Sequence, residues 1–99
     1  MSTNSAQELL ARMRELKPII IKRYKAKQIE LFGSIVRGEQ SGASDIDLLV
    51  DFEEGADLLD LTGLAIFLEG ELGRKVDVVP KRALREELRH SVLREAVLV

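Results

Sequence analysis

The sequence has no cysteine, no tryptophan, one histidine, two prolines and four aromatic side chains. Without cysteine there is no disulfide scaffold, no thiolate zinc site and no cysteine nucleophile. Four aromatics (Tyr24, Phe32, Phe52 and Phe67) leave the core to Leu, Ile and Val and supply no base-stacking platform. His90 sits between Arg89 and Ser91 with no acid–base constellation around it, and no role is assigned to it. Long apolar runs are also missing. Ile19–Ile21 and Ala65–Leu68 fall far short of the roughly 20 residues of a spanning helix. The polar start, Met1 to Ser5, lacks the apolar stretch of a secretory signal, so the expected compartment is the cytoplasm and no membrane partner is expected. Finally, charge of one sign is missing overall. With 15 basic and 17 acidic side chains the net charge is −2, without the basic excess of a stable nucleic-acid binder.

What is present suits one small folded unit. Over 99 residues, an apolar share of 45% and a charged share of 32% exclude both a disordered tail and a membrane span. The length predicts a single domain over residues 1–99 with one modest core. The near-neutral total hides a pattern. Residues 1–32 carry seven basic and three acidic side chains, residues 33–79 three basic and eleven acidic, and residues 80–99 five basic and three acidic. Most such charge lies on solvated helix faces. The acidic middle block also offers candidates for holding cations.

Periodicity predicts the elements. Residues 5–16 read as a helix, with Ser5 and Glu8 as a capping box and Leu9, Leu10, Met13 and Leu16 as the apolar stripe. Pro18 is expected to break or restart it, giving a second short helix over 18–25. A strand over 27–32 ends at Gly33-Ser34. One helical turn over 34–38 follows, then a loop over 39–44. Residues 45–52 alternate as a strand, with Ile46, Leu48, Val50 and Phe52 on one face and Asp45, Asp47, Leu49 and Asp51 on the other. A helix over 58–72 is expected to bury Leu61, Leu64, Ala65, Leu68 and Leu72, and Gly73 stops it. A third strand over 75–79, a helix over 82–89 and a turn over 91–95 complete the pass. Val97-Leu98-Val99 fits either a small docking strand or a partner surface. The order α-α-β-β-α-β-α predicts an α+β fold, a mixed three- to four-stranded sheet with helices packed against it.

Three features can meet at one place. Asp45 and Asp47, two apart on a strand, project from the same face and repel unless a cation lies between them. Asp45-Ile46-Asp47 alone also fits turn chemistry and a solvated strand edge. Asp77 lies in the apolar strand Val76-Asp77-Val78-Val79, and the intervening helix makes that strand a parallel neighbour of the first two acids. Three carboxylates on one sheet face suit two Mg²⁺ ions, the arrangement that stabilises both oxygens of a phosphoryl displacement. Gly33 permits close approach of a phosphate, Ser34 can donate to it, and Arg37 offers a guanidinium fork. An ordinary glycine turn is the alternative for Gly33-Ser34.

Gly33-Ser34, ten intervening residues, Asp45-Ile46-Asp47 and the later strand acid Asp77 together resemble the nucleotidyltransferase superfamily of DNA polymerase β. The chain looks most like its minimal, MNT-type members, from about residue 8 onward. Ile35-Val36 departs from the aromatic-Ala pair often found there, and the apolar character is kept. The resemblance implies that Asp45, Asp47 and Asp77 are catalytic and hold two Mg²⁺ ions. It also implies that Gly33, Ser34 and Arg37 bind a nucleoside triphosphate, ATP above all. Members of this kind often stand beside a HEPN-domain toxin and act as its antitoxin by placing AMP on a tyrosine. Two classes of function follow: an Mg²⁺-dependent nucleotidyltransferase modifying such a partner, or a non-catalytic module that neutralises the partner by contact. A transferase acting on RNA ends is a third, disfavoured by the acidic middle block.

Overall fold

A computed structural model describes residues 6–38 and 45–99. The Ser5 cap and the loop over 39–44 lie outside the described residues.

The first helix, α1, runs unbroken over Ala6–Tyr24 with Pro18 inside it, so the expected break does not occur. Leu9, Met13, Leu16 and Ile20 form one buried stripe that continues past the proline, while Pro18 itself is exposed. A proline in a helix interior costs about 3 kcal/mol. Burying each large aliphatic side chain returns roughly 1.5–3 kcal/mol, so a stripe that carries on to Ile20 outweighs the lost hydrogen bond.

The sheet has four strands in the order β3-β2-β1-β4. They are β1 (Ala26–Phe32), β2 (Ile46–Phe52), β3 (Val76–Pro80) and β4 (Val97–Leu98). β1 pairs antiparallel with β2 and with β4, and β2 pairs parallel with β3, so the sheet is mixed as expected. A register irregularity between Ala26 and Gln28 lets Ala26 and Ile29, three apart, both reach the core. The connection from β2 to β3 is α3 (Leu58–Leu72). Asp57 caps it: its carboxylate accepts from the Asp60 N–H, and the Asp60 carboxylate accepts in return from the Asp57 N–H. Gly73, in the left-handed region, ends it.

One sheet face makes the core. Ile29, Leu31, Ile46, Leu48, Val50, Val76 and Val78 pack against the α1 stripe and against Leu64, Leu68 and Leu72 of α3. Leu61 and Ala65, expected in the core, lie half-buried at its margin. Tyr24 packs its ring on Phe67 at 5.6 Å between centroids.

Beyond β3, a 3-10 turn over Lys81–Ala83 is followed by a single helix, α4 (Glu86–Glu95), in place of a helix over 82–89 and a separate turn. Leu84 and Arg85 are extended between them. Starting at Glu86 puts Glu86 and Glu87 in the first turn, where the helix dipole favours acids. Of the two readings of the tail, the docking strand is the one observed. β4 pairs Val97 with Leu31 and Leu98 with Glu30 of β1, and Val99 is buried with its N–H bonded to the Ile29 carbonyl. Lys17 and Arg14 of α1 donate to the carbonyls of Val99 and Leu98. Arg12 pairs with Glu71 of α3 at 2.6 Å. Three cations of the basic N-terminal block therefore fasten elements of this chain to one another.

Candidate active site

The alternation of β2 sends Ile46, Leu48 and Val50 into the core, which turns Asp47 to the opposite face. The β2–β3 register sets Asp47 directly beside Asp77. Neighbouring strands lie about 4.8 Å apart, so these two carboxylates start from adjacent backbone positions on one face. Asp45, two residues before Asp47, is exposed at the entry to β2, where the Ile46 N–H bonds the Lys75 carbonyl. The strand order thus gathers the three acids at one end of β2 and β3. Leu49, on the same face, is almost fully buried, and the 3-10 turn after β3 packs on β2, so the rest of that face is partly covered.

Gly33 closes the site from the side of β1. Its φ of 86° lies in the left-handed half of conformational space, which side chains rarely adopt. A Cβ there would overlap the Asp47 carboxylate and lie 3.0 Å from its Cγ. The residue is glycine for two reasons at once: the turn demands it, and the acid occupies the space. The Gly33 carbonyl then accepts from the Val36 and Arg37 N–H groups to open α2, a single turn over Ser34–Arg37. Ser34 and Ile35 therefore head a helical turn next to Asp47, at the place where helix N–H groups have no carbonyl one turn back. One turn has little macrodipole, so any hold on an anion comes from these N–H groups, the Ser34 hydroxyl and Arg37.

Electrostatics mark Asp47. Burial pushes its carboxyl above the ordinary carboxylate value, and the negative charges of Asp77 and Asp45 push it further; Arg37 acts in the opposite direction. Asp77 and Asp45 thus place like charge beside Asp47 that Arg37 only partly offsets. Hard carboxylate oxygens in this arrangement are the donor set that Mg²⁺ takes, usually one or two carboxylates with several waters retained. Among the described residues no group of three His, Asp or Glu side chains is drawn together into a ready cage. The fit to a cation rests instead on donor chemistry, strand register and the repulsion at Asp47.

Sequence reasoning missed Glu95. At the end of α4 it accepts from Arg37 Nη1 through both carboxylate oxygens at 3.0 Å, across 58 residues of chain. Its charge also reaches Asp47, acting to raise that carboxyl. The signal was its position: an acid in the last helical turn is disfavoured by the dipole and calls for a cation.

Comparison with known proteins shows what the chain as a whole is similar to. The family model described as nucleotidyltransferase domain matches residues 13–99. The protein adenylyltransferase MntA of Thermococcus cleftensis is 44% identical over 91 residues, covering 92% of this chain and 88% of that protein. A solved structure of a candidate minimal nucleotidyltransferase superposes with a TM-score of 0.83 at 44% identity, covering 100% of this chain and 97% of the other. A chain from the solved complex of a tri-AMPylated HEPN toxin of Shewanella oneidensis with an MNT antitoxin superposes with a TM-score of 0.64 at 25% identity. That match covers 91% of this chain and 69% of the other.

Proposed function

The chain belongs to the nucleotidyltransferase domain family, and from that premise we propose that it transfers AMP from ATP to a hydroxyl of a HEPN-type toxin, a tyrosine, and so acts as the antitoxin. The observation that carries the reading is the side-by-side register of Asp47 and Asp77 with Gly33 closed over Asp47. Support for AMP and for the partner comes from the relatives: an adenylyltransferase at 44% identity and a chain from a complex that contains an AMPylated HEPN toxin. Residues 1–99 are taken as one domain carrying the whole transfer site.

In this reading Asp45, Asp47 and Asp77 would hold two Mg²⁺ ions. When bound, the ions neutralise phosphate charge and sharpen the acceptor as a nucleophile. The chain's own residues do the rest. Ser34 and the first amides of α2 hold the β- and γ-phosphates, with Arg37 supplying a guanidinium donor. Gly33, with no side chain, leaves the start of α2 open for the phosphates to approach its amides. Asp77 takes the proton of the acceptor hydroxyl as its oxygen bonds the α-phosphorus. The bond to the bridging oxygen breaks and pyrophosphate leaves. Catalysis is positioning and charge neutralisation, as in other phosphoryl transfers.

Pyrophosphate release tests this. The protein is incubated with Mg²⁺, each of the four nucleoside triphosphates in turn, and a HEPN-domain protein from the same source. Release with ATP that requires both Mg²⁺ and the partner supports the transfer. Neutralisation of the toxin with no pyrophosphate released identifies a contact-only binding module instead.

A further inference from the structure

We infer that Glu95 is a positioning residue for nucleotide binding: it holds the Arg37 guanidinium at the end of the turn that opens beside Asp47, and the C-terminal strand sets where it stands. The inference rests on the nucleotide-binding reading of Arg37 given above.

Arg37 is the last residue of a one-turn helix and its side chain is 46% exposed. A long side chain in that setting loses much of its rotamer freedom when it is ordered. An arginine left to wander pays that cost again each time a phosphate arrives. Glu95 pays it in advance. Its carboxylate, only 25% exposed, takes Arg37 Nη1 on both oxygens at 3.0 Å. Both bonds to Glu95 fall on Nη1, so the planar guanidinium is fixed at one corner.

The position of Glu95 is itself fixed by the fold. Two residues later Val97 pairs with Leu31 of β1, and Val99 is buried with its N–H on the Ile29 carbonyl. Lys17 donates to the Val99 carbonyl at 2.9 Å. Arg37 follows the same end of that strand through the Gly33 turn, next to where Val97 pairs with Leu31. One strand, β1, therefore sets both partners of the pair. The apolar tail closes the sheet edge and, by doing so, delivers a carboxylate to the arginine. The pairing also removes the conflict of an acid at a helix C-terminus.

A pure competitor for Arg37 would have the opposite effect on nucleotide affinity, and this decides the experiment. Binding of Mg²⁺·AMP-PNP and of Mg²⁺ alone is measured by calorimetry on the whole chain. The variants are Glu95→Gln, Glu95→Ala, Arg37→Ala and the double variant Glu95→Gln/Arg37→Ala, each checked by thermal melting. Residues that orient an inner ligand are worth about 10-fold or more. Expected are a loss of that size in Mg²⁺·AMP-PNP affinity for Glu95→Gln, unchanged Mg²⁺ binding, and no further loss when Glu95→Gln is added to Arg37→Ala. Unchanged or tighter nucleotide binding in folded Glu95 variants overturns the inference, as does an equal additional loss in the Arg37→Ala background. If Arg37→Ala alone leaves nucleotide affinity intact, the nucleotide role of Arg37 fails first, and the positioning role falls with it.

Discussion

Asp47 and Asp77 stand directly opposite one another across the parallel strand pair β2–β3, and the charge of Asp77 makes the ionised form of Asp47 less favourable. A fold tolerates such a pair where function needs it, at some expense of stability. Asp47 carries the strain: burial first, then Asp77 and Asp45, hold its carboxyl above the ordinary range. A carboxyl with a raised folded-state pKa lowers stability once it is ionised, and the deficit disappears as pH falls through the raised value.

Asp47→Asn is therefore expected to melt at a higher temperature than the wild type near pH 7 without divalent cation. The gap should close as pH is lowered through the raised Asp47 value, and Mg²⁺ should raise the wild-type melting temperature more than that of the variant. Melting curves across a pH series, with and without Mg²⁺, check this. A variant less stable than wild type at pH 7 would show that the repulsion at Asp47 is relieved some other way.

Gly33→Ala tests the approach of the backbone to the same acid. The added Cβ meets the Asp47 carboxylate, and the positive φ is unfavourable for any side chain. A destabilisation above about 1 kcal/mol is expected. Displacement of Asp47 should lower transfer by about 100-fold, the scale of a misplacement of roughly an ångström. Denaturant unfolding and initial rates measure the two effects separately.

Asp77→Asn should abolish transfer while most triphosphate affinity remains, because the phosphates are assigned to the Gly33 turn and Arg37. Calorimetry with Mg²⁺·AMP-PNP beside a transfer assay separates the two. Wild-type activity in this variant would remove Asp77 from the site.

The cap of α3 gives a prediction away from the chemistry. The Asp60 N–H bonded to Asp57 holds the Asp57 carboxyl below its ordinary value. A depressed folded-state pKa means that its stabilisation is present above the ordinary carboxylate value and is lost as pH falls through the depressed one. Asp57→Ala should lower the melting temperature at pH 7, and the difference should shrink at acid pH.

Much of this was legible in the chain. The alternation of 46–52, the isolated acid in Val76-Asp77-Val78-Val79 and the glycine–serine step before the acidic strand each report local geometry, and the parallel crossover follows from the helix between the strands. What the sequence hid was long-range. The apolar stripe of α1 carries through Pro18 because Ile20 is buried against the sheet, a tertiary gain that local propensity does not contain. The tail was ambiguous because a two-residue strand has meaning only beside the β1 edge. Glu95 and Arg37, 58 residues apart, meet only once that strand has docked.

The most direct test of the central claim is the intact mass of the HEPN-domain partner after incubation with this protein, ATP and Mg²⁺. The account predicts a shift by one or more AMP adducts with the wild type, and none with Asp45→Asn or Asp47→Asn. A partner that is neutralised at unchanged mass, equally by wild type and by both variants, would contradict it.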